Sequence, residues 1–192
     1  MPLTPRTYDF KQGTYGIAKH EVGHWLAAFT LGWGPREIEI KVPFHAKGHF
    51  GSTSASFKTS LTEIESVRRY ARGRVKILYS GAYAEHFDGK EFDTEAILAD
   101  FAPDGGAYSD YWKAEEIYFF YYNCLENPKG WEAEFSPIIS DVQMMIQKHY
   151  DFIHKVAKHL SEEASYPGQK ITMSAAILED MFKNSEMDFS EI

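Results

Sequence analysis

Between Thr14 and Leu31 the chain carries apolar Ile17, Leu26 and Phe29 and small Ala18, Ala27 and Ala28 at helical spacings, and Gly32, Gly34 and Pro35 end the run. This segment predicts a helix, and inside it stands His20-Glu21-Val22-Gly23-His24, an HExxH motif. Residues four apart lie on one helix face, so both imidazoles can converge on one cation, while Glu21 sits beside it to take a proton from coordinated water. A zinc ion held by nitrogen and oxygen ligands, with one position open, lowers the pKa of such a water to about 7. Eight His and 18 Glu in 192 residues give about 0.03 chance occurrences of the motif per chain, so coincidence is a poor account of it. Gly23 adds to the case. A glycine inside a helix costs ~1 kcal/mol relative to alanine, so another backbone or a substrate is expected to approach closely there.

The remaining pattern is mainly helical with a small β-sheet. Ile38, Ile40 and Val42 alternate with Glu37, Glu39 and Lys41, which reads as a half-buried strand, and Phe50 to Phe57 supplies its partner. Ser60 and Glu63 form a capping box ahead of a helical pattern through Ile64, Val67, Tyr70, Val75, Leu78 and Ala82 that ends near Phe87. Helices follow over 107–125 and 136–160, split by Asn127, Pro128 and Gly130, with a last short one from Ser174 to Phe182. No repeat and no long linker occurs, so residues 14–192 are expected to form one domain behind an extension over residues 1–13.

Composition narrows the chemistry. With Cys124 as the only cysteine, neither a disulfide framework nor a multi-cysteine zinc site can form, and a reducing cytoplasm suits the chain. Any metal must be held by His and carboxylate. A net charge of −8 opposes binding to nucleic acid and anionic lipid. The densest apolar stretch, Ile117 to Tyr122, is six residues long, against the roughly 20 that span a bilayer. The first twenty residues have no apolar signal core. A soluble cytoplasmic protein is therefore expected, neither integral to a membrane nor bound to nucleic acid.

The extended motif HExxHxxGxxH is absent, because position 30 is Thr30. A third metal ligand must come from farther away, and His45, His49, Glu85 and Asp110 are the candidates that the pattern leaves open. His45 and His49, four apart around Gly48 in a strand-like region, read as loop histidines rather than a second metal pair. His149, His154 and His159 recur every five residues, which spreads them around a helix and predicts a surface position. The five aromatics Tyr118 to Tyr122 predict a helix buried on several sides, and Cys124 behind them a small buried hydrophobe.

Three blocks resemble the peptidase domain of the FtsH-type AAA proteases: Ala18-Lys19-His20-Glu21-Val22-Gly23-His24-Trp25-Leu26, Tyr79-Ser80-Gly81-Ala82-Tyr83-Ala84-Glu85-His86-Phe87, and Gly106-Ala107-Tyr108-Ser109-Asp110-Tyr111-Trp112-Lys113-Ala114. They occur in that family's order, and the likeness runs from about Thr14 to Lys183. The resemblance implies a mainly helical FtsH-peptidase-like zinc domain with one Zn²⁺ per chain, held by His20, His24 and Asp110. It makes Glu21 the general base, and Glu85 a residue that packs against the ligands rather than one of them. Ser80, Tyr83, Tyr108 and Ser109 depart from the family's pattern, and residues 88–105 look like an insertion. No GxxxxGK[ST] phosphate loop occurs, since Gly89-Lys90 is followed by Glu91. There is thus no ATP site in this chain. The expected activity is a zinc metalloendopeptidase acting on protein or peptide substrates without its own ATPase, with homo-oligomer rings or a separate ATPase as further partners. The alternative is an FtsH-peptidase-like binding or adaptor protein without turnover, which the intact Glu21 disfavours.

Overall fold

The computed structural model describes residues 8–45 and 50–187. The first helix, α1 (Phe10–Thr30), begins four residues before the apolar run, because the Asp9 carboxylate accepts from the N–H groups of Lys11 and Gln12 at 3.0 and 3.2 Å and caps it. It is buried over most of its C-terminal half, including His20 and Glu21. Trp25 and Leu26 are fully buried, and the indole stacks on Phe29 and donates to the Arg36 carbonyl at 2.9 Å. A three-stranded antiparallel sheet lies against α1, in the order β2 (Gly51–Ala55), β1 (Pro35–Lys41), β3 (Lys170–Met173). Ile38 faces Thr53 on one side and Met173 on the other, and its side chain, with those of Ile40 and Val42, enters the core. The alternation in β3 is the same as in β1, with Ile171 and Met173 buried between exposed neighbours. Four residues are too few for that period to stand out in the sequence.

The second long helix, α2 (Ile64–Glu85), crosses α1 and buries Ala71, Val75, Leu78 and Ala82. Its expected capping box does not form: Glu63 is itself the cap residue, in extended conformation, with no side-chain hydrogen bond to the first turn. Residues 88–105, read as an insertion, hold a short helix, α3 (Thr94–Asp100), whose cap Asp93 accepts from Ala96 N–H at 3.0 Å. The helix α4 (Tyr108–Asn123) carries the aromatic run, and only one face of it is buried: Tyr118 and Tyr121 are covered while Phe119 and Phe120 are more than half exposed. Cys124 is partly exposed rather than buried.

The span expected to form one helix over 136–160 is two, α5 (Trp131–Lys148) and α6 (Tyr150–Glu163), broken where His149 leaves helical geometry at ψ 23°. α5 starts ahead of Pro137 because Trp131 is anchored on α4: its ring lies edge-on to Tyr118 at 4.4 Å, and the Tyr118 hydroxyl donates to the Trp131 carbonyl at 2.7 Å. The break also corrects the surface reading of His149, which is 9% exposed with its ring 5.1 Å from that of Phe182 on the last helix, α7 (Ala175–Met187). His154 and His159 are exposed as expected. No described helix is long and apolar enough to cross a membrane.

Candidate metal centre

Three elements meet at the histidines of α1. His20 and His24 present their Nε2 atoms to a single oxygen, Oδ2 of Asp110 in the first turn of α4, at 3.4 and 3.2 Å, and the two rings stand edge to face 4.6 Å apart. These three side chains offer ligand atoms that all lie within 4.8 Å of one another. The N-terminal turn of α4 is a favourable seat for the Asp110 carboxylate, because the aligned peptide dipoles of the helix leave partial positive charge at that end.

The other nitrogen of each ring is already engaged. His24 Nδ1 lies 2.7 Å from the Ile77 carbonyl oxygen, which can only accept, so Nδ1 must carry the hydrogen. His20 Nδ1 lies 3.2 Å from Oε2 of Glu85 at the end of α2. Pinning Nδ1 to a carbonyl or carboxylate fixes the tautomer and turns Nε2 outward as a lone pair, the usual support of metal-ligating histidines. Two lone pairs and a carboxylate oxygen pointed at one spot repel one another unless a positive charge sits among them. Without a metal, protons supply it. Burial would by itself lower the pKa of His20, but Asp110 and Glu85 outweigh it and raise it to about 10. Asp110 moves the opposite way: burial would raise it, and the two histidines hold it well below the usual carboxylate range. The donor set, two imidazole nitrogens and one carboxylate oxygen, fits a divalent ion such as zinc.

The Glu21 carboxylate lies beside β2, close enough to His20 for its charge to act on that imidazole. Glu21 is 4% exposed, and its Oε2 accepts from the Thr53 hydroxyl at 2.8 Å. Gly51 makes room for it, since a Cβ there would come within 2.7 Å of the Glu21 carboxyl carbon. Gly81 does the same for the ligands: a Cβ on it would lie 2.5 Å from His20 Nε2 and 2.6 Å from His24 Nε2. The close approach expected at Gly23 is the α2 backbone, whose Ser80 carbonyl occupies the space a side chain would need. Lys19, nearly buried, donates to the carbonyls of Glu85 and Phe87 at 2.7 and 2.5 Å and closes the end of α2 that carries Glu85. Burial lowers its pKa to about 8, against the opposing pull of Glu85 and Asp88.

The structure brings His20, Glu21, His24, Glu85 and Asp110 together. His45 lies exposed after β1 and joins no group of ligand atoms among the described residues, and His49 lies outside them. A second group, Glu85, His86 and Asp100, also has its ligand atoms close together. Its chemistry is that of an ion pair, with His86 Nε2 2.7 Å from Asp100 Oδ2 tying α3 to the end of α2. Trp112 is 57% exposed and packs into neither core nor metal site. The sequence places Gly51 and Thr53 in a strand and Gly81 in the second block, but the part each plays, and that of the Ile77 carbonyl, arises from a contact between distant segments. No protein-family model matches the chain, and no curated protein matches it significantly.

Proposed function

We propose that this chain is a zinc-dependent metalloendopeptidase of the FtsH-peptidase type, with His20, His24 and Asp110 as ligands and Glu21 as general base. The convergence of His20 Nε2, His24 Nε2 and Asp110 Oδ2, with both Nδ1 atoms pinned elsewhere, carries this reading. The three sequence blocks that resemble the FtsH-type domain supply those residues and Glu85. A bound divalent ion would supply a Lewis acid that polarises the scissile carbonyl and acidifies water. Glu21 takes the proton from the attacking water at its carboxylate and returns it to the leaving amine, while Thr53 holds that carboxylate in place. Among the described residues β2 is an edge strand, and the N–H and C=O groups of its outer side suit an extended peptide bound by strand pairing. No GxxxxGK[ST] loop occurs within these 192 residues, so this domain by itself acts on segments that are already flexible. The single cysteine suits a reducing compartment such as the cytoplasm.

Elemental analysis of purified wild type, Asp110→Ala and Glu85→Ala tests the ligand set. Expected are one zinc per chain in wild type, loss in Asp110→Ala, and retention in Glu85→Ala with affinity about 10- to 100-fold lower. Peptide hydrolysis by the zinc-loaded protein, abolished in Glu21→Gln, tests the activity. No zinc in wild type after reconstitution overturns the metallopeptidase reading in favour of a binding protein on the same fold.

A further inference from the structure

Beside His24, on the flank of the cluster away from Glu85, a cavity of about 250 Å³ opens between β2, α2 and the start of α4. At roughly 30 Å³ per water it has room for about eight waters, or for one side chain. His24 and Asp110 form its inner edge, and Phe57 and Ile77 give it apolar walls. Two cations also line it. Arg74 of α2 is half-buried with its guanidinium carbon 4.0 Å from the centre of the Phe57 ring, a cation–π contact that fixes its plane. It makes no hydrogen bond or ion pair among the described residues, so its five N–H donors remain available. Lys113, one turn along α4, is 59% exposed at the rim, its Nζ 3.9 Å from Asp110 Oδ1.

The charge here runs against the molecule as a whole. The chain carries −8, yet among the described residues the one carboxylate lining this cavity is Asp110, which is committed to the two histidines and, in the proposed enzyme, to the metal. An uncommitted, immobilised guanidinium beside an apolar wall is a receptor for a carboxylate on a short aliphatic stem. We propose that this cavity is a specificity pocket that takes the side chain of a substrate residue flanking the scissile bond, and that it selects an acidic residue, glutamate above all. The glutamate methylenes lie against Phe57 and Ile77, its carboxylate takes a forked pair of hydrogen bonds from Arg74, and Lys113 adds a second cation at the mouth. Lysine and arginine side chains are excluded by like charge. The pocket's role in catalysis rests on the metallopeptidase reading; its preference for acidic peptides rests only on residues of this chain.

The test measures binding and cleavage separately. Blocked pentapeptides with Glu, Gln or Lys at the central position, otherwise identical, are titrated calorimetrically into the zinc-loaded Glu21→Gln protein and again after chelation. The Glu peptide is expected to bind about tenfold more tightly than the Gln peptide, the scale of one charge-assisted hydrogen bond, and the Lys peptide more weakly than both. Because the two cations do not depend on the metal, the order Glu over Lys persists in the chelated protein. Arg74→Gln should erase the Glu-over-Gln preference and Arg74→Lys restore part of it. Lys113→Gln, on an exposed side chain that cannot disturb the core, should reduce it about threefold. Equal binding of the three peptides, no binding of any, or a preference untouched by Lys113→Gln and by a folded Arg74→Gln overturns the pocket. The two readings fail differently. Preferential binding of the Glu peptide with no hydrolysis by zinc-loaded wild type removes the peptidase and leaves the pocket, whereas hydrolysis blind to charge removes the pocket and leaves the peptidase.

Discussion

Gly81→Ala sets two physical effects of opposite sign against each other. Gly81 lies well inside α2, where alanine should stabilise the helix by ~1 kcal/mol. The added methyl, however, would lie 2.5 and 2.6 Å from the Nε2 atoms of His20 and His24, where ordinary contact begins at 3.4 Å. Both rings must therefore withdraw by up to ~0.9 Å, well beyond the ~0.5 Å within which a functional constellation has to be held. The rings cannot move freely, because their Nδ1 atoms are tied to Glu85 and Ile77. The expected result is a loss of zinc affinity of at least about 100-fold, the upper end of what disturbing ligand orientation costs. The metal-free protein should stay folded, since what the methyl meets is the ends of two side chains. Gly23→Ala is the contrast. Its methyl meets the Ser80 backbone carbonyl and lies 2.7 Å from Ala84 Cβ, so α1 and α2 must separate, at a cost of about 1–3 kcal/mol in the metal-free fold that cancels or exceeds the ~1 kcal/mol alanine contributes to the helix. Competition against a chelator of known affinity reads the first effect, and denaturant unfolding in the presence of EDTA reads the second. A Gly81→Ala protein that binds zinc like wild type would refute the arrangement of the ligands, and a Gly23→Ala protein more stable than wild type by the full ~1 kcal/mol of the helix gain would refute the packing of the two helices.

Thr53→Val removes the hydroxyl that holds Oε2 of Glu21 at 2.8 Å without changing the side chain's shape. Zinc content should stay at wild-type level while kcat falls about tenfold, a modest share of the penalty for a ~1 Å misplacement; a fall in KM-related binding alone would show that Thr53 does not position the base. The His86–Asp100 pair gives a pH signature. Burial lowers the His86 pKa, but Asp100 and Glu85 outweigh it and raise it above the ordinary value. The pair's stabilisation is therefore fully present below pH ~6.5 and lost as pH rises through the raised folded-state value. Asp100→Asn should cost ~1 kcal/mol at pH 6 after allowance for solvent screening, and progressively less toward pH 9. Chemical denaturation of both proteins across that range checks it, and a penalty that grows with pH would contradict the assignment.

What the sequence discloses here is what is local. The HExxH motif and the helix around it are readable because four-residue spacing and apolar periodicity act within one element, and β1 is readable because Ile38, Ile40 and Val42 alternate with charges. Asp110 lies 90 residues from His20, and no spacing rule connects them; only the likeness of its block to the FtsH-type domain singled it out over Glu85, His45 and His49. The misplaced boundaries have physical causes as well. α5 begins before Pro137 because Tyr118 on another helix receives Trp131, and the Ser60–Glu63 pattern yields no capping box because the helix starts one residue after Glu63. His149 is buried because the break between α5 and α6 turns it toward Phe182, which a five-residue count along a single continuous helix cannot anticipate.

The partner of the motif is a single stripe of α2. Arg74, Ile77, Gly81 and Glu85 are separated by three, four and four residues, so they share one face of that helix. Along it Arg74 lines the pocket, the Ile77 carbonyl fixes His24, Gly81 leaves the volume that the two Nε2 atoms fill, and Glu85 fixes His20. No pair among these residue types suggests a metal site. Their common face becomes meaningful only when α1 is laid against it, with Gly23 against Ser80 and Ala84 setting the distance between the helices. The ligand geometry is thus a property of the α1–α2 packing, closed by one carboxylate from α4. It follows that metal affinity and the stability of this helix pair are coupled: an ion that binds the folded cluster and not the unfolded chain stabilises the fold by about 2.7 kcal/mol at a hundredfold excess over its Kd. Any change that widens the gap between α1 and α2 must weaken the binding of that ion as well.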